Sequence, residues 1–369
     1  MARIRSVRYH VLRDTADRRV VTDDVRLDRR RDRDIFENRI AFVSLLMHPD
    51  GKLYCGITAF NTDIFHRFDV EKRTFESLGY AKVAEEYEVK IHRSLELASD
   101  GTIYGASACL YGLEHRLKAP GGTLFRFTPG EDTIEKLAVP VRHDYIQTIT
   151  LDEERRLIYG LTCPVYRFFV YHLDTGEVED YDYMGSITHV SAIDDAGGFW
   201  GTWDKREHHL FRYDPETREI TYHRHGTPNA REEANIMYIG AGPVDVMRNF
   251  GDGFLYIGTT GGSLCRLEPK TAAVEYLGHP VPTRRMPGLV AWHDALLLGA
   301  AGDNRGGCLF TYDRGTGAFN HLGPIVAPDG ATCYRVHDLA LSPDGRTAYV
   351  AETDVPDRSG YLWECELET

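Results

Sequence analysis

The chain has 369 residues, with 43 Lys or Arg against 56 Asp or Glu, and a formal charge of −13 at pH 7. That balance excludes a partner gripped through a nucleic-acid backbone, which needs a Lys/Arg surplus on one face. No run approaches the ~18 consecutive apolar residues of a membrane span, and Met1-Ala2-Arg3-Ile4-Arg5-Ser6 opens the chain without the apolar core of a secretory signal. The expectation is no membrane partner and a cytoplasmic protein, or a secreted one whose signal has been removed.

Ile4 to Leu12 alternates and predicts a strand. Arg13 to Asp34 is rich in Arg and Asp, and the interleaved charges read as a solvated connector. After it a unit repeats: an apolar strand, a tight turn, a strand ending in aromatic-Gly, a loop, a strand ending in an acidic residue, a turn and a last short strand. The second-strand signature recurs as Tyr54-Cys55-Gly56, Tyr104-Gly105, Tyr159-Gly160, Trp200-Gly201, Tyr256-Ile257-Gly258, Leu298-Gly299 and Tyr349-Val350-Ala351. Third strands follow in step, as in Leu124-Phe125-Arg126-Phe127, Leu210-Phe211-Arg212-Tyr213-Asp214 and Leu309-Phe310-Thr311-Tyr312-Asp313. Asp50-Gly51, Asp100-Gly101, Asp252-Gly253 and Asp344-Gly345 mark first-to-second turns, where the backbone needs positive φ.

Short strands, hairpin turns and a period of about 40–55 residues predict an all-β, seven-bladed β-propeller of four-stranded antiparallel blades. A single domain is expected. Residues 1–38 supply a closing strand and connector, and the blades fall at about 39–80, 89–138, 143–184, 187–226, 243–279, 286–323 and 333–369. The last unit has three clear strands, so the N-terminal strand is expected to complete that blade and close the ring, removing two exposed edges. The signature aromatic is expected to fill the space between blades. Seven cysteines without a CxxC argue against a disulfide framework or zinc knuckle and read as core residues.

A propeller binds ligands at the mouth of its central channel, at the starts of inner strands and in the second-to-third loops. Blade 2 places His92 at its inner strand, with Tyr111, His115 and Arg116 in a long loop. Blade 3 opens with His143-Asp144-Tyr145 and has Thr162, Tyr166 and Arg167 in its loop. Blade 4 offers His189, then Arg206, His208 and His209; blades 5 to 7 offer Asp245, Arg284, Arg285, Arg335 and His337. Such a set suits an acidic sugar. An arginine binds a uronate carboxylate bidentately. Neutralising that group acidifies the α-hydrogen, a Tyr or His removes it, and the β-oxygen departs.

His92, His115, Tyr145 and Arg167, spread over blades 2 and 3, resemble the catalytic set of the seven-bladed propeller polysaccharide lyases, of the ulvan lyase and rhamnose–glucuronate lyase type. The resemblance implies β-elimination at a uronic acid in a poly- or oligosaccharide, often next to rhamnose. Arg167 would neutralise the carboxylate, Tyr145 would transfer the proton, and His92 and His115 would act as base, acid or carboxylate partners. Tyr111 and Tyr166 compete for the tyrosine role, and His143 and His189 for the histidine roles. Substrate contacts are expected from His143, Tyr166, His189, Arg206, His209, Arg285, Arg335 and His337.

Other readings have weaker support. A similar scaffold can host a hydrolase for rhamnosyl–uronate linkages. Oligogalacturonate lyases use a His-bound transition metal, but His223 and His225 read as a solvated outer strand and His208-His209 is only a pair. No cofactor or metal site is expected, with a water-bridged structural calcium in the channel left open because backbone carbonyl ligands are invisible in sequence. Propeller lactonases use carboxylates at inner-strand starts; Asp245, Glu352 and Asp354 are outnumbered there by His, Tyr and Arg. A non-catalytic glycan- or protein-binding propeller is the remaining class, although Trp-Asp or Kelch signatures do not recur.

Overall fold

The computed structural model describes residues 2–12, 40–60, 62–85, 87–109, 117–233, 242–355 and 358–368. The Arg/Asp-rich connector lies outside the described residues, as do Tyr111, His115 and Arg116. The strands fall into seven antiparallel sheets, which define a seven-bladed β-propeller. Blade 1 is Ala41–Met47, Lys52–Thr58, Phe65–Asp69 and Thr74–Ser77, and the short strands Glu88–Lys90 and Ala108–Cys109 extend its sheet. Blade 2 is Leu95–Leu97, Ile103–Ala106, Leu124–Thr128 and Thr133–Ala138; blade 3 is Tyr145–Asp152, Leu157–Cys163, Arg167–His172 and Val178–Tyr183. Blade 4 is Ala192–Ile193, Phe199–Trp203, His209–Asp214 and Glu219–Tyr222. Blade 5 is Val244–Asn249, Leu255–Thr259, Leu264–Glu268 and Ala273–Gly278; blade 6 is Gly288–Trp292, Leu296–Asp303, Gly306–Asp313 and Phe319–Pro324.

Val336–Leu341, Thr347–Glu352 and Leu362–Glu368 form blade 7, and the N-terminal strand Arg3–His10 joins it as the outer fourth strand, as the sequence predicts. Arg3 pairs with Glu368 at 2.8 Å, and Arg8 with Glu364 and Glu366 at 3.0 and 2.9 Å. The chain divides into two compact units, one mainly Tyr9–Asp182 with blades 1 to 3, the other mainly Tyr183–Val350 with blades 4 to 7.

The repeated signature has a physical origin in two contacts. The aromatic is tied to the aspartate of the turn before it. Tyr54 donates to Asp50 at 2.9 Å, Tyr159 to Asp152 at 3.1 Å and Tyr256 to Asp252 at 3.0 Å, and the Trp200 indole donates to Asp194 at 2.8 Å. The other oxygen of each carboxylate accepts from turn N–H groups, for example Lys52 N to Asp50 and Gly198 N to Asp194, both at 2.8 Å. One carboxylate thus shapes the hairpin and anchors the next strand. Such charge-assisted bonds contribute about 1.5–3 kcal/mol each. The aromatics also sit between blades, as expected: Tyr256 packs with Phe310 and Tyr312, and Trp200 with Met247 and Ile257.

The signature glycine is there for the third strand's phenylalanine. Gly105, Gly160, Gly201 and Gly299 each lie opposite a Phe in the ladder: Phe125, Phe169, Phe211 and Phe310. A β-carbon on these glycines would meet the ring at 2.2, 2.1, 2.7 and 2.1 Å. All four rings are fully buried. The seven cysteines form no disulfide, and six of them are buried. Among the described residues, no helix is long and apolar enough to cross a membrane.

Candidate functional site

In the unit of blades 4 to 7, a site grows from an irregularity in the ladder. The inner strand of blade 5 carries a β-bulge between Val244 and Val246. A bulge leaves one residue outside the ladder and re-aims its side chain. Here that residue is Asp245, whose relative exposure is 0 %. Arg285 donates to it through Nε and Nη2, both at 3.2 Å. On its other side, His189 Nδ1 lies 3.4 Å from Asp245 Oδ1, an ion-pair distance without hydrogen-bond geometry. His189 and Arg285 are themselves buried, at 2 % and 7 % exposure.

The backbone fixes this group. Arg285 sits at φ 62, in the left-handed region that a bulky residue rarely occupies. Its N–H donates to the Thr260 carbonyl at 3.0 Å and its own carbonyl accepts from Gly302 N at 3.1 Å. His189 N donates to the Val244 carbonyl at 3.2 Å, next to Asp245 in the chain. Burying a charged pair costs several kcal/mol of desolvation per ion, so its net contribution to stability is small. Its chemical use is clearer. A carboxylate at Nδ1 orients an imidazole and stabilises the imidazolium formed when Nε2 takes a proton.

Nearby residues of blade 4 do different work. Ser186 Oγ is 2.7 Å from His208 Nδ1 and 2.9 Å from Thr202 Oγ1, a closed polar chain with Ser186 fully buried. Burial, first among its causes, lowers the His208 pKa and favours the neutral ring. His209 lies against Trp203, with ring centroids 5.6 Å apart, and its buried Nδ1 has no hydrogen-bond partner among the described residues. Arg206 is exposed, with its backbone N–H on Asp204. His223 departs from the solvated-strand expectation. It follows the outer strand and stacks on Trp200 at 5.4 Å and 11°, while His225 Nε2 reaches the Ala272 carbonyl at 2.6 Å. In blade 7, His337 is buried within its strand, and Arg335 Nε donates to Asn304 at 2.6 Å.

In the unit of blades 1 to 3, a bulge between Ile146 and Thr148 similarly sets Gln147 outside its ladder. His92 Nδ1 is 2.7 Å from the Gln147 carbonyl, and the Gln147 amide nitrogen is 3.4 Å from His92 Nε2. A carbonyl can only accept, so Nδ1 carries the proton and Nε2 keeps its lone pair. Tyr145 lies against the apolar cluster of Phe60, Tyr87, Val89, Cys109 and Ala119. Burial pushes the Cys163 thiol up to about 12, and hydrogen bonds from Tyr145 and Tyr166 oppose that rise. His143 and Tyr166 have left-handed backbones, φ 64 and 62, and His143 Nδ1 donates to the Ala119 carbonyl at 2.7 Å. Buried Asp144 accepts from Thr162 at 2.7 Å and from Val165 N at 3.3 Å.

Arg167 is directed to its own outer strand. Its Nε lies 2.9 Å from both Asp180 oxygens, and its Nη1 is 3.2 Å from Asp182. It lines a shallow, open pocket with Pro140, Val141, Arg142, Val165 and Asp180. Two aspartates already balance its charge, and an incoming carboxylate has to displace them.

The structure therefore places Asp245 between His189 and Arg285. Gln147 is a partner the sequence reading missed. Only its place beside a channel-facing strand start could have signalled it, because a bulge leaves no residue signature.

No family model matches the chain, and a comparison with curated proteins finds no match. Solved structures do match. A catalytically inactive histidine-to-alanine variant of virginiamycin B lyase from Staphylococcus aureus, with quinupristin, superposes with a TM-score of 0.65 at 14 % identity, over 98 % of this chain and 99 % of that one. A streptogramin B lyase structure gives 0.64 at 14 %, over 90 % and 95 %. The extracellular domain of a putative one component system from B. thetaiotaomicron gives 0.58 at 15 %, over 88 % of this chain and 40 % of that one. At these identities the likeness shows the fold.

Proposed function

We propose that the chain is a carbon–oxygen lyase that works by base-catalysed β-elimination, with His189 as the base and a uronic-acid glycoside as the substrate class. The observation that carries the reading is the buried Asp245 carboxylate held between the His189 imidazole and the Arg285 guanidinium. Asp245 faces the imidazole at ion-pair distance, where it would stabilise the imidazolium, and Arg285 fixes the carboxylate. His189 Nε2 takes the hydrogen α to the substrate carboxyl group. The C–H electron pair becomes a C=C bond as the β C–O bond breaks, and the departing oxygen takes a proton from water. The imidazolium then returns its proton to solvent, so atoms and charge balance. Elimination needs only such a base and a means of stabilising the developing carbanion.

Two of the solved structures with this fold are of lyases, and loss of one histidine inactivates one of them. That supports giving the base role to a histidine. The sequence resemblance puts the chemistry on Tyr145 and Arg167. The engagement of Arg167 with Asp180 and Asp182 favours the His189 group in its place.

The test is ultraviolet absorbance of the unsaturated uronate, across ulvan, rhamnosyl-glucuronate, pectic and glycosaminoglycan fragments. A rise abolished by His189→Ala is expected. Asp245→Asn should lower kcat about 10²-fold or more while leaving KM nearly unchanged, since it acts through His189. New reducing ends without absorbance would mean hydrolysis. Full turnover in His189→Ala would remove the base assignment.

A further inference from the structure

We infer that His208 is a hydrogen-bond donor to the substrate, its imidazole held in the Nε2-protonated tautomer by Ser186 and Thr202. A count of protons fixes the tautomer. Thr202 Oγ1, Ser186 Oγ and His208 Nδ1 form a row with separations of 2.9 and 2.7 Å, and all three residues are buried. Among the described residues neither hydroxyl has a further partner. Each hydroxyl brings one proton and donates once. A proton on Nδ1 would donate to Ser186, Ser186 would donate to Thr202, and the Thr202 proton would be buried without an acceptor, which is costly. Run the other way, Thr202 donates to Ser186 and Ser186 to Nδ1, and every proton is used. Nδ1 is then the acceptor and the ring proton sits on Nε2. Burial favours the same neutral ring; Asp204 and Glu207 oppose it and His209 adds to it.

The Nε2–H makes no hydrogen bond among the described residues, although His208 is only 4 % exposed. Its backbone is held for a purpose. His208 sits at φ 50, in the left-handed region, and its N–H donates to the Asp204 carbonyl at 3.0 Å. The Asp204 carboxylate accepts from Arg206 N and Glu207 N at 2.8 and 3.3 Å, which shapes the turn. This turn joins the second and third strands of blade 4. The first strand pairs antiparallel with the second, so His189, just before the first strand, lies at the same end of the blade. Gly242 ties the two histidines together. A β-carbon on it would lie 3.1 Å from Ser186 Oγ and 3.2 Å from His208 Nδ1. Gly242 N donates to the Ile187 carbonyl at 3.1 Å, and His189 N to Val244 at 3.2 Å. One pair of segments thus carries Ser186 at one end and His189 with Asp245 at the other, about 10 Å along extended chain. The identity of the ligand rests on the lyase reading, in which the acceptor is a substrate carboxyl oxygen. Charge moves onto that group as the α-hydrogen leaves, and a fixed donor stabilises it while keeping its own proton.

The test uses the full chain labelled with nitrogen-15 histidine and two-bond proton–nitrogen spectra at pH 7. One ring, missing in His208→Gln, should show an unprotonated Nδ1 and a protonated Nε2. Ser186→Ala should abolish that single-tautomer pattern. Sodium D-glucuronate should shift the Nε2 signal of the same ring. With a glycan that gives unsaturated product, His208→Ala should lower kcat/KM about 10- to 100-fold, the effect of losing one charge-assisted hydrogen bond. His208→Gln, which keeps an N–H, should recover part of that loss. Ser186→Ala, which leaves the imidazole in place, should also lower kcat/KM. A protonated Nδ1 in the wild type, an Nε2 signal indifferent to glucuronate, or wild-type kcat/KM in His208→Ala overturns the donor. The two readings fail separately: a glucuronate shift at Nε2 with no unsaturated product from any glycan would sink the lyase and leave the donor standing.

Discussion

Replacing Gly160 by alanine tests the packing argument at its tightest point. The new β-carbon would lie 2.1 Å from Phe169 Cζ and 2.3 Å from Cε1. Carbon atoms in contact settle near 3.5–4.0 Å, so the ring has to withdraw by ~1.5 Å. It has no space to enter, since Phe169 is fully buried among Tyr104, Leu124, Ile149 and Ile158. Overpacking of this kind costs about 1–3 kcal/mol. Unfolding entropy of ~2.1 cal/mol/K per residue converts this to a fall in Tm of only about 1–4 °C for a cooperative chain of this length. The midpoint of denaturant unfolding is the sharper assay. Phe169→Leu should relieve the clash, so the double variant should be more stable than the sum of the single changes by about 1 kcal/mol. Gly201→Ala, with its nearest atom at 2.7 Å, should cost less than Gly160→Ala. A neutral Gly160→Ala, or strict additivity with Phe169→Leu, would refute the account of the aromatic-Gly signature.

Other expectations can be checked alongside it. Asp245→Ala should destabilise the fold by about 3–5 kcal/mol by removing the carboxylate that buried Arg285 donates to, and adding Arg285→Ala should recover much of that in denaturant unfolding. Burial, followed by the hydrogen bond to Asp252, pushes the Tyr256 phenol up to about 12. An unfolded tyrosine ionises near ~10, so its contribution is intact below that pH and is lost as pH rises from about 10 to 12. Stability measured across this window should fall less steeply in Tyr256→Phe. Arg8→Ala breaks two pairs of a half-exposed arginine with Glu364 and Glu366; it should cost no more than about 1 kcal/mol and become harmless in high salt.

What could be read in the sequence, and what could not, divides along a physical line. Blade number, strand order and the outer role of the N-terminal strand were legible because each is written in local spacing. The signature aromatic and its turn aspartate are four to seven residues apart, as in Tyr54–Asp50 and Tyr159–Asp152, so their hydrogen bond is a local one. The site was legible only in its residue types. His189 and Arg285 could be named as channel candidates, but their common partner depends on a bulge at Asp245 that no residue type announces. Arg167 looked available because Asp180 lies on the next strand, 13 residues on, and their pairing is fixed only by register. His223 looked solvated because its stacking partner Trp200 belongs to a different strand.

The pairing of Arg3–His10 with Leu362–Glu368 bears on how the protein is made. Arg3 and Glu368 stand 365 positions apart in sequence. A ribosome adding about 5–20 residues per second separates them by roughly 20–70 seconds. Throughout that interval the Arg3–His10 strand has no partner, while six earlier blades have all their strands and can form. Its mix of Arg3, Arg5 and Arg8 with Ile4, Val7 and Tyr9 suits that wait, because charge on an unpaired strand discourages it from joining another chain. Blade 7 is therefore a timer as well as a seam: the propeller closes only after Leu362–Glu368 has left the ribosome.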